Sequence, residues 1–514
     1  MEGESRTTAG VLRGVELPGA WAFRGIPYAR TGGTAGRWRR ALPPESWAGV
    51  RDAGTWGPIA PQAPPVAGFS LPGDPTLSDE DCLNLNVWTP RPDHGARPVL
   101  VWVHGGGFTT GTGASTLFDG RRLAARGAVV VTVNYRLGAL GLMAHPELAD
   151  GPGGPGNWSL HDQIAALRWV QDNIGAFGGD PGNVTLVGES AGSMSIAALL
   201  TATEAAGLFH RAVLQSGPPA TATPAWAQRR AERIAGHLGV SPGALGRLHQ
   251  VPPMHLVEAT QRLAAEVPTE GGLPLPLLPV VDGDLLSRPP ADMVADGSAT
   301  CVPLLVGTTR DEAALFTAAD AADTSLDDER VARRLAPFVG AQAADEIVAA
   351  YRRARHARGD PVSARDLWTA VTTDYVFRLP LQALAGAHAK YEPRTYAYLF
   401  TWESPFLGGM FGSCHGLDIP FVFGTVQDPA VRIFSGAGPR ADLLTEQMQQ
   451  AWMAFARDGD PSCEAVGQWP PFDLADRPTM VLGPDSGVQE DPRSAERVVW
   501  EDVGADIGAG HHHE

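Results

Sequence analysis

TLVGESAGSMSIAALL, residues 185–200, ends an apolar run by placing a lone Ser190 between Gly188 and Gly192, and then continues in small residues. One explanation is structural, because glycines supply the tight backbone geometry that a strand-to-helix turn requires. The other is a nucleophile elbow, in which a G-x-S-x-G turn holds a serine hydroxyl at the top of a sheet. The pentapeptide alone is common by chance. It becomes informative here because the apolar run predicts a strand and residues 191–200 predict a helix.

Predicted strands alternate with predicted helices along the chain. Apolar, β-branched runs predict buried strands in PVLVWVHGGGF (98–108), AVVVTVNYRLG (128–138), VTLVG (184–188), VPLLVG (302–307) and TYAYLFTW (395–402). Residues 159–177 and 444–461 predict helices. This alternation predicts an α/β protein with a mostly parallel sheet covered by helices on both faces. Residues 220–300 and 318–390 look helical and less patterned, which predicts insertions or a cap over the sheet.

Composition limits the class of protein. The 514 residues include 40 basic and 57 acidic ones, and the formal charge of −17 argues against nucleic acid or an anionic membrane as the main partner. Lys390 is the only lysine, so P-loop, S-x-x-K and Schiff-base chemistries are excluded. The bias toward arginine indicates a GC-rich, bacterial genome.

The cellular compartment is predicted from three features. The first ten residues, MEGESRTTAG, lack a signal-peptide pattern, and no apolar run approaches the ~18 residues that span a bilayer. The four cysteines are far apart and form no C-x-x-C pair; they are Cys82, Cys301, Cys414 and Cys463. These features predict a cytoplasmic protein with free thiols.

A serine nucleophile of this kind needs an acid and then a histidine later in the chain. The late histidines are His356, His388, His415 and the terminal His511, His512 and His513. His356 and His388 lie in predicted helices, and the terminal histidines are interpreted as a tail. His415 follows a predicted strand in the glycine-rich MFGSCHGLDIPFVF, where the backbone can aim an imidazole. An ordinary loop histidine is an equally good interpretation of His415 at this stage.

The acid is expected on the loop after a strand that follows the elbow. LLVGTTRDEAALF offers Asp311 and Glu312, whereas Asp282 and Asp284 are typical turn residues. Glu312 could also be a helix-first-turn acid stabilised by the helix dipole. Spacing alone leaves Asp311 and Glu312 as alternatives.

Three glycines follow a predicted strand in VWVHGGGFTTG, between His104 and Phe108. Glycines let backbone N–H groups turn toward a substrate oxygen, as in the H-G-G-G loops of esterases. A flexible tight loop is the structural alternative. The position directly after a buried strand favours an oxyanion-binding loop at Gly105–Gly107.

Taken together, these motifs make the chain resemble type-B carboxylesterases, the family of bacterial para-nitrobenzyl esterases and cholinesterases. The resemblance covers FRGIPYA, EDCLNLNVWTP, HGGGF, NYRLGALG, GNWSLHDQ through GESAGSMS, GTTRDEAALF, CHGLDIPFVF and WMAFARDGDP. It implies one α/β-hydrolase domain over residues 1–514, with no cofactor and no metal. It also implies a Ser190, Glu312 and His415 triad, and an oxyanion hole formed by the N–H groups of Gly106, Gly107 and Ala191.

The resemblance also implies structural roles and shows departures from the family pattern. It implies buried ion pairs between Arg37 and Glu80 and between Arg136 and Asp162, although Ser159 and Asp162 also have capping-box spacing. The family's disulfide partner of Cys82 is replaced by Ala60, which excludes that bridge. Asp418 stands where the family usually has glutamate, and Pro218 where it often has serine.

The predicted function is hydrolysis of small to medium soluble carboxylic esters through an acyl-enzyme. Amides, carbamates and lactones remain alternative substrates, and a non-catalytic adhesion or scaffold protein is the alternative from another class. The partner is a small ester, without nucleic acid or membrane, and the oligomeric state stays open. Six residues are candidates for the pocket wall: Phe108, Trp158, Glu189, Phe316, Phe406 and Phe411.

Overall fold

Two sheets organise the residues that the computed structural model describes, which are 3–64, 74–148, 156–267, 275–318 and 325–505. A small sheet contains β1 (Glu4–Arg6), β2 (Val11–Arg13) and β5 (Val50–Asp52). Within the same residues, the large sheet has eleven strands: β3 (Val15–Leu17), β4 (Ala20–Pro27), β6 (Asn84–Thr89), β7 (Arg97–Val103), β8 (Val129–Val133), β9 (Gly179–Glu189), β10 (Arg211–Gln215), β11 (Leu304–Thr309), β12 (Thr395–Phe400), β13 (Pro478–Leu482) and β14 (Gly487–Glu490).

The centre of the large sheet is parallel. Its order is β14-β13-β12-β11-β10-β9-β7-β8-β6-β4-β3, and every pair from β13 to β8 is parallel. The outer pairs are antiparallel: β13 with β14, β8 with β6, β6 with β4, and β4 with β3. The predicted mostly parallel sheet is therefore confirmed, and the carboxyl ends of its central strands share one edge.

Helices fill the connections between the strands. They are α1 (Arg121–Ala125), α2 (Gly138–Leu142), α3 (Trp158–Asn173), α4 (Ala191–Leu199), α5 (Pro224–His237), α6 (Pro253–Glu266), α7 (Pro290–Ala295), α8 (Asp328–Val339), α9 (Ala341–Arg358), α10 (Ala364–Thr373), α11 (Leu379–His388), α12 (Ile419–Phe423), α13 (Arg432–Ser435), α14 (Pro439–Asp458) and α15 (Ser494–Asp502). A π-helical turn, Asp374–Arg378, joins α10 to α11.

Side chains alternate across the sheet, so each central strand contributes to two cores. On β7, Val99, Val101 and Val103 pack in the core that includes α3 and α4. Leu100 and Trp102 of the same strand pack in the core that includes α1, α12 and α14. Helices therefore cover both faces, as the alternation of strands and helices predicts.

The two stretches expected to be helical insertions contain helices in the structure. Helices α5 and α6 pack with α2 in one satellite core, and α8, α9 and α10 form another with Trp500 of α15. Helix α11 differs from its neighbours, because Leu381 and Leu384 pack in the main core beneath the sheet. The second stretch thus ends in a sheet-covering helix rather than in a cap.

Asp162 forms an ion pair and not a helix cap. Its carboxylate accepts from Arg136 Nε at 2.7 Å and Nη2 at 2.6 Å, and both residues are buried. Ser159 instead donates to the Arg136 carbonyl, and the residue before α3 is Asn157. Leaving one partner of such a pair unpaired costs about 3–5 kcal/mol, whereas a cap contributes about 1 kcal/mol. The capping-box interpretation is wrong, and the ion-pair prediction is confirmed.

The second predicted ion pair and the cysteines also have defined positions. Arg37 donates to both carboxylate oxygens of Glu80 at 2.6 Å. Cys82 lies buried in the same core as Ala60, and all four cysteines are free.

Among the described residues, no helix is long and apolar enough to cross a membrane.

Candidate active site

Ser190 occupies a strained turn between β9 and α4. Its backbone has φ 55° and ψ −124°, a conformation that side chains rarely adopt. The flanking glycines are required by close contacts: a Cβ on Gly188 would lie 2.7 Å from the Gly192 carbonyl carbon, and one on Gly192 would lie 2.0 Å from the Val103 oxygen. The Ser190 N–H donates to the Gln215 carbonyl at 2.9 Å. These contacts fix the serine at the carboxyl edge of the sheet.

Glu312 and His415 meet at the same edge. The Glu312 Oε2 lies 2.6 Å from His415 Nδ1, and its Oε1 accepts from the Thr309 N–H at 2.7 Å. Because an ionised carboxylate only accepts, the proton of this hydrogen bond belongs to His415 Nδ1. The imidazole packs against both Phe316 and Phe377, with centroid distances of 5.2 Å and 5.1 Å. The other ring nitrogen, Nε2, makes no hydrogen bond among the described residues.

Asp311, the alternative acid, points elsewhere. Its Oδ2 accepts from Arg310 Nε at 2.9 Å and from the Ser413 N–H at 2.9 Å. Asp311 therefore holds the loop that leads to His415 without touching its ring. Two other late histidines lie apart from this site, since His388 ends α11 and contacts Thr395 at 2.8 Å, while His356 lies in α9.

The glycine loop after β7 has the backbone of an anion-binding turn. Gly106 has φ 109° and Gly107 has φ 59°, and a Cβ on Gly106 would lie 2.2 Å from the Thr110 oxygen. Among the described residues, neither N–H of these two glycines has a backbone acceptor. Ala191 begins α4, where first-turn N–H groups have no partner within the helix. Gly105 lies beside Ser190, because a Cβ there would be 2.9 Å from the serine Cβ.

His104 and Tyr135 fix this loop from below. The two rings stack at 4.4 Å, and the Tyr135 hydroxyl donates to the His104 carbonyl at 2.6 Å. Burial lowers the pKa of His104 to about 4, so its ring is neutral. Its Nδ1 lies 2.8 Å from the Gly105 carbonyl, which can only accept, so Nδ1 carries the proton.

Glu189, a candidate for the pocket wall, contacts the His415 ring directly. Its Oε1 is 3.1 Å from His415 Nε2, on the side of the ring opposite Glu312. The carboxyl group is buried, and burial raises its pKa to about 8 although the His415 charge opposes this. Burial alone would lower the pKa of His415, but Glu189 and Glu312 outweigh it and raise the pKa to about 9. The two groups are therefore coupled, because the His415 charge lowers the pKa of Glu189 and the Glu189 charge raises the pKa of His415.

Asp418 lies behind this pair. It is fully buried and accepts from the Tyr398 hydroxyl at 2.7 Å and from Gln215 Nε2 at 2.9 Å. Burial raises the pKa of its carboxyl group, with a smaller contribution from the charge of Glu312. The departure from the expected glutamate thus leaves a carboxyl group at this position, held by two donors from β10 and β12.

The aromatic pocket candidates separate into three groups. Phe108 and Trp158 are buried together in the satellite core of α2, α5 and α6. Phe316 is 41% exposed and contacts the His415 ring, which places it at the opening of the site. Phe406 and Phe411 stack on each other at 6.0 Å in the loop before His415.

The described residues contain no cluster of three or more His, Cys, Asp and Glu side chains that could hold a metal ion. The group at the sheet edge instead combines a strained serine, a carboxylate-bound imidazole and free backbone donors. Such an arrangement is suited to nucleophilic attack on a carbonyl carbon.

Known proteins resemble this chain over almost its whole length. A model of the carboxylesterase family matches residues 2–500. Para-nitrobenzyl esterase of Bacillus subtilis (strain 168) is 37% identical over 496 residues, covering 96% of this chain and 97% of that protein. Phenmedipham hydrolase of Pseudarthrobacter oxydans is 38% identical over 495 residues, covering 94% and 96%. A solved carboxylesterase of Geobacillus stearothermophilus superimposes with a TM-score of 0.83 at 34% identity, covering 97% of this chain and 100% of that chain.

Proposed function

Because the chain belongs to the carboxylesterase family and is a serine carboxylic-ester hydrolase, we propose that Ser190 is its nucleophile, His415 its general base and Glu312 the acid. Its fold is the α/β-hydrolase fold, as the sequence predicts, and an enzyme is confirmed over an adhesion or scaffold protein. The observation that carries the proposal is the 2.6 Å contact between Glu312 Oε2 and His415 Nδ1. This contact leaves Nε2 to accept the proton of the serine hydroxyl.

In the proposed reaction the Ser190 oxygen attacks the ester carbonyl carbon while His415 Nε2 takes its proton. The carbonyl oxygen becomes an oxyanion that accepts hydrogen bonds from the N–H groups of Gly106, Gly107 and Ala191. When the tetrahedral intermediate collapses, His415 gives the proton to the leaving alcohol. Water, deprotonated by the same nitrogen, then attacks the acyl carbon, and His415 gives that proton to the departing Ser190 oxygen as the carboxylic acid is released.

Glu189 has two opposing effects on this base. Its charge favours protonated His415, which cannot accept the serine proton, but it also stabilises the imidazolium that forms during attack. His415 can accept the serine proton only after its own Nε2 proton is lost, which happens as pH rises through its raised pKa of about 9. The proposed enzyme therefore gains activity as pH rises toward the alkaline range.

Replacing Glu189 by glutamine is expected to move the acidic limb of the kcat/KM–pH profile to lower pH. The sign follows because the Glu189 charge raises the pKa of His415, and its removal lets the imidazole stay neutral in more acidic solution. Asp418→Asn should shift the limb in the same direction by less, since Asp418 contributes least to the raised pKa of His415. A limb that stays in place or moves to higher pH in Glu189→Gln contradicts the assignment.

We propose small to medium dispersed esters as substrates. The net charge of −17 disfavours anionic interfaces. The proline-rich stretch 60–81 is short and has no sequence pattern of a lipid-binding helix. Residues 65–73 of that stretch lie outside the described residues, while Asp74 accepts from Thr116 N at 2.7 Å. The exposed face of Phe316 gives the opening an apolar wall.

A series of p-nitrophenyl esters of increasing acyl length, each taken through its solubility limit, tests this substrate range. Rates are expected to peak at short or medium chains and to saturate normally. A matched amide and carbamate in the same series measure the alternative substrates. A rate that jumps when the substrate becomes emulsified, or that favours long chains, contradicts the proposal.

We also propose that the chain works as one domain in the cytoplasm. The large sheet takes strands from Val15 to Glu490, which supports a single unit. The four free cysteines support a reducing compartment.

A further inference from the structure

Thr373, the last residue of α10, contacts the loop that begins with Glu312. Its Oγ1 accepts a hydrogen bond from the Ala313 N–H at 3.0 Å, and both residues are buried. One helical turn earlier, Thr369 Oγ1 lies 2.8 Å from Thr317 Oγ1. Thr317 also donates to the Ala313 carbonyl at 3.0 Å. Two threonines of α10 therefore hold both ends of the short segment that starts at Glu312.

Phe377 extends this contact to the imidazole. Thr369, Thr373 and Phe377 are spaced four residues apart, as expected for one face of a helix. Phe377 is fully buried, with its ring centroid 5.1 Å from that of His415 and 6.0 Å from that of Phe316. One helical stretch thus contacts the loop of the acid and the ring of the base.

The π-helical turn that carries Phe377 is fixed from its other side. Asp374 accepts from Arg378 Nε at 2.6 Å and Nη2 at 2.7 Å, and from the Tyr351 hydroxyl. Trp500 Nε1 donates to the Tyr351 hydroxyl at 2.8 Å, and Arg378 Nη1 donates to the Pro492 carbonyl at 3.2 Å. Because these groups come from α9, α15 and the chain before α15, the turn cannot shift without breaking buried hydrogen bonds. π-Helical turns often occur at functional sites.

We propose that Thr373 is a positioning residue of the hydrolase, which sets the Glu312–His415 hydrogen bond through the Ala313 N–H. The proposal rests on the catalytic roles proposed for Glu312 and His415. Ala313 is bonded directly to Glu312, so loss of its acceptor leaves a buried N–H unpaired and lets the peptide between them move. A misplacement of about 1 Å at a catalytic group costs about a hundredfold in rate.

Three variants test the proposal with matched shapes. Thr373→Val keeps the volume and removes the acceptor, and Thr373→Ser keeps the hydroxyl. Thr372→Val is the control, because the neighbouring Thr372 is also buried and its hydroxyl has no hydrogen-bond partner among the described residues. Thr373→Val is expected to lower kcat about ten- to a hundredfold with KM changed less than about twofold. Thr373→Ser should retain most of the activity, and Thr372→Val all of it.

The spectroscopic readout is the far-downfield proton NMR signal of His415 Nδ1–H, which the short bond to Glu312 produces. Thr373→Val should shift or broaden this signal, whereas a loss of stability alone leaves it in place. If Thr373→Val does not fold, Thr369→Val removes the half-buried contact to Thr317 and should lower kcat less, in the same direction.

The outcomes separate the two proposals. Wild-type kcat and an unchanged signal in folded Thr373→Val overturn the positioning role, even if the melting temperature falls. If Thr373→Val does not fold, wild-type kcat in Thr369→Val overturns the positioning role. Full activity in Glu312→Gln, measured alongside, overturns instead the catalytic assignment on which the positioning role rests.

Discussion

Ser190→Ala is expected to lower kcat by several powers of ten, on the order of 10⁴- to 10⁶-fold, with little change in KM. The substitution removes the attacking oxygen but leaves the oxyanion donors and the binding surface, which supply the residual rate. Alanine adds no atoms to a turn in which Gly188 and Gly192 already lie in close contact. The measurement is kcat for a p-nitrophenyl ester, with circular dichroism to show that the variant is folded.

The same serine should be the one residue that a fluorophosphonate labels stoichiometrically. Two nearby serines serve as internal competitors, because Ser193 donates to the Gly217 carbonyl at 2.8 Å and Ser216 also has a positive φ of 55°. Both are fully buried, so their hydroxyls are not expected to react. Ser193→Ala is the matched control. In this variant Ser190 should still be labelled, and most of the activity should remain. An adduct mapped by peptide mass spectrometry to Ser193 or Ser216 refutes the nucleophile.

Short-range geometry explains why the elbow could be predicted from the sequence. One contact that defines it joins Gly188 and Gly192, which are only four positions apart, and it excludes a side chain by steric overlap. The same holds for the glycine loop, where Gly106 contacts Thr110. Such constraints restrict which residue types can occupy each position, so the pattern is visible in a single sequence.

The pairing of Glu312 with His415 depends on sheet topology, so spacing alone could not choose Glu312 over Asp311. The two partners are 103 positions apart, and they meet because β11 and β12 are parallel neighbours. Residues that follow neighbouring parallel strands emerge at one edge of a sheet. Only the family resemblance, which carries information about that topology, selected the glutamate in advance.

Other parts of the site had no sequence signal. Thr373 is an ordinary helical threonine by pattern, and its contact with Ala313 depends on how α10 packs against the loop after β11. Glu189 was a pocket candidate, but its contact with His415 depends on how the loop after β12 folds back. Phe108 and Trp158 were chosen for their size and position, and they are buried because large aromatic side chains more often fill cores.

Glu312→Gln is expected to lower kcat on the order of 10⁴-fold while leaving the fold intact. Glutamine has the same length, but its amide can present an N–H to His415 Nδ1. The imidazole would then carry its proton on Nε2, the nitrogen that must accept the proton of Ser190. The loss of charge also removes one of the interactions that stabilise the imidazolium. Both effects act on the same step and lower kcat far more than KM.

Asp311→Asn is the matched control for Glu312→Gln, because it changes the adjacent carboxylate in the same way. Asp311 bonds Arg310 and the Ser413 N–H, and neither contact reaches the imidazole. Asparagine keeps an oxygen that can accept from Ser413, so the loop before His415 should hold its position and kcat should fall by less than about tenfold. The two variants therefore separate a role in proton transfer from a role in loop packing. If Asp311→Asn is the more damaging substitution, with both proteins folded by circular dichroism, then the acid of the triad is Asp311.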